Sequence, residues 1–385
     1  GAVGGEHAME KTAVAPKVSI HALLAAMAKH DASDLHLKVG LSPYYRIAGK
    51  LRRVESVPPL TSSEQIEQMV APLIPAKRRE AYEQTGDLDF SYQDAAGDRF
   101  RINIFRAGGQ MHAAFRRVKS EIPSFEQLHL PGVYQQLAAR TYEGLILIAG
   151  VTGSGKSTTL ASMIQHINST RQVHIITVED PIEYTFKPLK AIISQRELNI
   201  DVPDYHEALK YIVRQDPDVI FIGEMRDRYT MLAALQAAET GHLVFGSVHC
   251  PDTTQAFSRI LEFFPPDQHD FIRSSLANSL VAICAQRLLP AIDETILRVP
   301  ACEVLLSNGT VKDKIRRGED QAIPEIIGSS VEEGMRSFTY SLAELVRSEM
   351  VYRDTAMEFA PNRDALAATL RGIQTAAKGL ISRRP

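Results

Sequence analysis

GVTGSGKS, residues 150 to 157, sets Gly150, Gly155, Lys156 and Ser157 in the spacing G-x-x-x-x-G-K-[ST]. It follows the apolar run LILIA and opens the helical pattern TTLASMIQHI, the context in which this spacing does chemistry. Gly153 and Gly155 let backbone N–H groups turn inward around phosphate oxygens, and the helix N-terminus adds its dipole. Lys156 then reaches the β- and γ-phosphates of a nucleotide, and the Ser157 hydroxyl is placed to ligate Mg²⁺. The expected cradle is Gly150, Thr152, Gly153, Ser154, Gly155, Lys156, Ser157 and Thr158.

A magnesium site needs acids as well. IITVEDPIEY (175–184) ends a buried strand in Glu179 and Asp180, at the carboxyl end where open parallel sheets bind ligands. DVIFIGEMRD (218–227) is less regular. Gly223 closes its apolar run, Glu224 follows, and Asp218 sits before it, at the wrong end for the metal. We therefore expect Ser157 to bind Mg²⁺ directly, Glu179 and Asp180 to reach it through water, and Asp218 to be structural. HLVFGSVHC (242–250) carries His242 and His249 seven apart, an odd spacing that puts them on opposite faces of a straight strand. His249, at the carboxyl end, is the candidate for the nucleotide; a core histidine bonded to backbone is the alternative, above all for His242. RFRINIFRAGGQMHAAFRRVK (99–119) is strongly basic, with Arg101 and Arg116 on neighbouring strands. It reads either as a solvated face or as a source of arginine fingers for a γ-phosphate.

The elements that must position these groups fall into two grammars. VSIHALLAAMAKH (18–30) has helical spacing behind Ser19 as a cap, and DLHLKVG and PYYRIAGKLRRV alternate like half-buried strands. Residues 62–84 are helical in pattern, and LDFSYQD and RFRINIFR form a hairpin across AAGD, with HAAFRRVK as a third strand. This predicts an α+β domain over 17–119 and a proline-bearing linker over 120–132. Beyond it, GLILIAG, VHIITVED, DVIFIGE and HLVFGSVH are continuous apolar runs between helical segments, as in a doubly wound parallel sheet. That core is expected over 133–295, a helical region over 296–370 and a basic tail over 371–385, whose Arg371, Lys378, Arg383 and Arg384 read as solvated. GAVGGEHA ahead of Met9 has no signal-peptide character, and 1–16 is read as an added, disordered tail.

Bulk properties narrow the classes. The net charge of −3 gives no support for nucleic-acid binding, and no apolar run approaches a membrane span. Cys250, Cys284 and Cys302 are too few and too dispersed for a disulfide framework or a structural zinc site, so a cytoplasmic protein without structural zinc is expected.

Together GVTGSGKST, ITVEDPIEY, RQDPDVIFIGEMRD and TGHLVFGSVH resemble, in order, the Walker A loop, Asp box, Walker B strand and His box of the secretion and pilus ATPase superfamily. SDLHL, RFRINIF and AMEFAPNRDAL extend the resemblance from about 18 to 368, and it is strongest to the type IV pilus retraction (PilT-like) branch. The resemblance implies a PAS-like N-terminal domain, a RecA-like P-loop ATPase domain and a homohexameric ring. It further implies an inner-membrane pilus platform protein as partner, with a paralogous pilus ATPase as a further candidate. By motif position Glu224 activates the attacking water, Glu179 is the Asp-box acid, His249 senses the γ-phosphate, and Arg101 and Arg116 complete a neighbour's site. The chain lacks the tetracysteine insert of extension and secretion ATPases. In TVKDKIRRG (310–318) it keeps Ile315 and Arg316 of the retraction signature AIRNLIRE but has Arg317 in place of the final Glu, while FFP (263–265) is PilU-like. A retraction motor is the expectation; an extension ATPase without the insert, or an accessory ring subunit that binds ATP as a structural partner, are the alternatives.

Overall fold

Alternation of apolar and polar side chains builds the first of two units, which divide between Lys119 and Ser120 in a computed structural model that describes residues 18–381. The expected tail 1–16, and the side chains of Lys378, Arg383 and Arg384, lie outside the described residues. The first unit holds β1 (Ala32–Leu37), β2 (Tyr44–Ile47), β3 (Lys50–Arg53), β4 (Asp87–Gln93), β5 (Arg99–Ala107) and β6 (Gln110–Arg117). They form one antiparallel sheet in the order β3-β2-β1-β6-β5-β4. Phe100, Ile102 and Ile104 of β5 and Met111, Ala113 and Phe115 of β6 face a core shared with the helix Ile20–Lys29 and the helix Ser63–Val70. Ser19 caps the first helix, its Oγ accepting from the Ala22 N–H at 3.1 Å.

Two details differ from expectation. PYYRIAGKLRRV is a hairpin rather than one run, because Ala48 (φ 50°) and Gly49 (φ 80°) make the two-residue positive-φ turn that tight hairpins favour. The helical stretch 62–84 is broken into Ser63–Val70 and Arg79–Thr85 around Pro72 and Pro75, which cannot sit inside a continuous helix.

The second unit is a seven-stranded sheet of β7 (Gly144–Ala149), β8 (His174–Glu179), β9 (Ile192–Glu197), β10 (Val219–Ile222), β11 (Leu243–Val248), β12 (Leu280–Pro290) and β13 (Arg298–Leu306). The order is β13-β12-β7-β11-β10-β8-β9, and every pairing is parallel except β12 with β13. Both faces are covered: Leu145, Leu147 and Ala149 of β7 point into one core, Ile146 and Ile148 into the other. This is the α/β, mostly parallel architecture expected, with helices filling the C-terminal part from Gly309 onward. Its helical region begins later than residue 296, because 298–306 is a strand. RVPACEVLL carries small and prolyl residues that weaken any local strand signal, and nine register pairs with β12, from Ala282↔Leu306 to Pro290↔Arg298, specify it instead.

The linker 120–132 is fastened to this unit. Ser162 Oγ donates to the Pro123 carbonyl at 2.7 Å, and Ile122, Phe125 and Leu130 pack on the core. Cys250, Cys284 and Cys302 are buried free thiols.

Candidate functional site

β7 delivers the chain into the glycine-rich loop, and the helix Lys156–Thr170 carries it away. Gly153 (φ 78°) and Gly155 (φ 85°) take the left-handed backbone that the loop requires. A side chain at Gly150 would collide with Ser154 Oγ, so the loop closes tightly there. Gln286 of β12, which the sequence reading did not single out, is a brace. It is buried, its Nε2 donates to the Ser154 carbonyl at 2.9 Å, and its Oε1 accepts from Thr159 Oγ1 at 3.1 Å.

Ser154 Oγ is buried without a hydrogen-bond partner, and Ser157 is exposed at the first turn of the helix. Lys156 Nζ donates to the Gly150 carbonyl at 2.6 Å, and burial lowers its pKa against the opposing pull of Glu224. A loop with inward-turned glycines, an orphan hydroxyl and a lysine is matched to phosphate oxygens. Thr158 turns elsewhere: its Oγ1 shares a hydrogen bond with Tyr184 Oη at 2.9 Å.

Strand order explains how the acids meet the loop. β11 lies between β7 and β10, and β8 lies beyond β10, so the carboxyl ends of all four form one rim. A cavity of ≈190 Å³ opens on that rim, lined among others by Lys156, Ser157, Glu179, Asp180, Glu224 and Ser247. A second cavity of ≈390 Å³ lies against Val151, Thr152 and Gly153 of the loop, walled by Leu288, Arg298 and Phe359.

Glu179 is 6% exposed and accepts from Thr177 Oγ1 at 2.7 Å and Gln195 Nε2 at 3.2 Å. Burial nevertheless pushes its carboxyl up to about 7. A carboxyl with a raised folded pKa costs nothing below its unfolded value near 4.5 and destabilises increasingly as pH climbs toward about 7. Glu179→Gln keeps an acceptor oxygen and cannot ionise. We expect it to unfold at higher urea than the parent at pH 8, by ~1–3 kcal/mol, with the gain gone at pH 4.5. Equal midpoints at pH 8 would show that Glu179 is solvated when charged.

Glu224 follows β10. Its Oε2 accepts from Arg226 Nη2 at 3.2 Å, and the same nitrogen reaches Asp180 Oδ2 at 3.4 Å. Gly223 is required beside it: an added Cβ would lie 2.9 Å from Tyr205 Oη and 3.3 Å from the Val178 carbonyl. Ser247 Oγ donates to the Gly223 carbonyl at 2.5 Å and fixes the turn. Asp218, at the opposite end of β10, accepts from the His174 N–H at 2.8 Å, as a structural residue does. His249 stands exposed just past β11, while His242 Nδ1 is 2.9 Å from the Ala237 carbonyl. The two histidines thus lie at opposite ends of the strand.

Among the described residues no three His, Cys, Asp or Glu side chains cluster to hold a metal. The donor set on the rim suits Mg²⁺, which commonly takes one or two carboxylates and completes its shell with water and substrate phosphates. Ser157, Asp180 and Glu179 all line the rim cavity and offer hard oxygen donors.

In the first unit Arg101 and Arg116 stand directly opposite on β5 and β6, on the face away from the core. Arg116 Nε donates to Asp34 Oδ1 at 3.0 Å, and Asp34 is itself opposite Arg46 on β2. One carboxylate among three guanidinium groups leaves this row cationic. Like charges directly opposite are unfavourable unless an anion joins them.

The type II/IV secretion system protein model matches residues 9–323. The type IV pilus retractation ATPase PilT of Pseudomonas aeruginosa is 36% identical over 89% of this chain and 98% of its own length. The type IV pilus ATPase PilU of the same organism is 37% identical over 86% of each. A crystal structure of the pilus retraction motor PilT with bound ADP superposes with a TM-score of 0.82 at 39% identity, over 91% of this chain and 99% of that one. With a family model spanning both units and relatives aligned over nearly their full length, this chain belongs to the type II/IV secretion system protein family.

Proposed function

We propose that the protein is a Mg²⁺-dependent ATPase that works as a homohexameric ring and powers type IV pilus retraction. The observation that carries the reading is the convergence of Lys156, Ser157, Glu179 and Glu224 on one cavity at the rim of the sheet. Phosphoryl transfer asks a protein for positioning and charge neutralisation more than covalent chemistry. The loop N–H groups and Lys156 hold the β- and γ-phosphates; Ser157 directly, with Asp180 and Glu179 through water, would hold Mg²⁺, which would supply charge neutralisation at the phosphates. Glu224 orients the attacking water, with His249 at the same rim. The less polar cavity beside Leu288 and Phe359 takes the base. Arg101 and Arg116 act on a neighbouring subunit's γ-phosphate, so that ATP binding clamps the small domain and release relaxes it.

No helix among the described residues is long and apolar enough to cross a membrane. The motor would work at the cytoplasmic face of the inner membrane through a platform protein, drawing pilin subunits out of the fibre. The similarity to PilU, 37% identity beside 36% for PilT, favours a second reading as an accessory ring subunit. Arg317, the departure from the retraction signature, lies on the surface of the helix Gly309–Arg317, paired with Asp313 at 3.1 Å, while Ile315 is buried. An exposed pair of this kind contributes little to stability, so the departure alters a surface and leaves the fold intact.

Deleting the gene and counting surface fibres tests the proposal. Loss of a retraction motor leaves excess fibres, which the parent chain should clear and Lys156→Ala should not. Clearance by Lys156→Ala would favour the accessory reading, and a bald deletion strain an extension motor.

A further inference from the structure

Arg226 has no place in the mechanism above, yet it touches two acids of the rim, Asp180 and Glu224. Its guanidinium carbon sits 4.8 Å above the ring centroid of Tyr205, which is buried at the start of the helix Tyr205–Lys210. Tyr205 is held in turn: Asp204 caps its helix by accepting from the Glu207 N–H at 2.8 Å, and its hydroxyl lies against Gly223. From this shelf one nitrogen of Arg226 spans Glu224 and Asp180.

We infer that Arg226 is a positioning residue that parks Glu224, holding its carboxylate toward Asp180 so that water activation requires the Arg226–Glu224 pair to open. The inference rests on Glu224 being the group that orients water. Three features carry it. Glu224 lines the same cavity as Lys156 and Ser157, so a carboxylate committed to the Arg226 guanidinium is withdrawn from a nucleophile in that cavity. Arg226 bridges two acids on separate strand ends, a geometry that fixes Glu224 relative to β8 as well as β10. Both partners of the pair are about half exposed, 40% and 46%, so the pair is weak enough to open during turnover.

The weakness sets the size of the effect. An ion pair of this exposure shifts a two-state equilibrium by about two- to fivefold. Arg226→Ala is therefore expected to raise kcat of the assembled enzyme about two- to fivefold. Its affinity for a non-hydrolysable ATP analogue, measured at equilibrium, should stay within about twofold of the parent. Arg226→Lys, which offers a point charge in place of a planar fork, should fall between the two. An unchanged or lower kcat with affinity retained would overturn the parking role, and so would a loss of analogue affinity, which would make Arg226 a binding residue. The double variant Glu224→Gln with Arg226→Ala separates the two readings. It should be as inactive as Glu224→Gln alone; if Glu224→Gln itself turns over, the assignment of Glu224 fails, whatever Arg226→Ala does.

Discussion

Glu224→Gln will bind ATP with nearly the parent's affinity and lose about a thousandfold or more in turnover. The substitution removes a charge and leaves volume and shape alone. Gly223 keeps its contact with Tyr205, and the new amide oxygen can still accept from Arg226, so the rim retains its form. On the proposed mechanism, what is lost is the carboxylate that takes or orients the proton of the attacking water. A positioned general base contributes about 10²–10⁴-fold, and a thousandfold loss corresponds to ~4 kcal/mol of transition-state stabilisation. On the same mechanism nucleotide binding rests on a different set: the loop N–H groups, Lys156 and the Ser157 hydroxyl, the last two lining the same cavity as Glu224. Steady-state phosphate release and equilibrium binding of a fluorescent ATP analogue, run on one preparation, separate the effects. Turnover above about a tenth of the parent's would remove Glu224 from the role.

Much of this site could be read in the sequence because its parts are contiguous. The loop needs only Gly153, Gly155, Lys156 and Ser157 close together, between a strand and a helix that announce themselves locally. Hairpin arithmetic did the same for the arginines. Once Gly108 and Gly109, both at positive φ, form the turn, Ala107 pairs with Gln110 and Arg101 must fall opposite Arg116. The braces were not legible. Gln286 meets Ser154 across 132 residues, and Arg226 stacks on Tyr205, which belongs to a separate helix before β10. Nothing in a local pattern marks such a pair. β12 and β13 carry no local strand signal for a related reason. The helix His269–Ser279 runs straight into β12 at Leu280 without a turn residue, and β13 gains its structure from pairing rather than propensity. β9 is an edge strand with Ser194, Gln195 and Arg196 in its middle, and its polarity hides it.

Two inactive proteins, Arg116→Ala and Lys156→Ala, should recover activity when mixed and reassembled into common rings. Arg116 is held by Asp34 through Nε, which leaves its terminal nitrogens to reach a phosphate, and Arg101 stands beside it in the same row. An arginine acting on another subunit's γ-phosphate contributes about 10³–10⁵-fold in P-loop enzymes, so the Arg116→Ala parent should be nearly silent. The Lys156→Ala parent fails earlier, at the phosphates themselves. If the arginine acts within its own chain, no subunit in the mixture carries both intact parts, and the mixture stays as inactive as its parents. If it acts across an interface, a site is whole wherever an Arg116→Ala subunit presents its lysine to a Lys156→Ala neighbour's arginine. Random equimolar assembly in a head-to-tail ring makes that arrangement at about a quarter of the interfaces. Recovery approaching about a quarter of the parent's specific activity is then the ceiling for sites that fire independently, and less is expected if firing must pass around the ring. Size-exclusion profiles keep the comparison fair, since rings must form in every sample. A mixture without recovery, in intact rings, would assign the arginine row to its own chain or to no catalytic role. Recovery would require the ring for chemistry as well as for force.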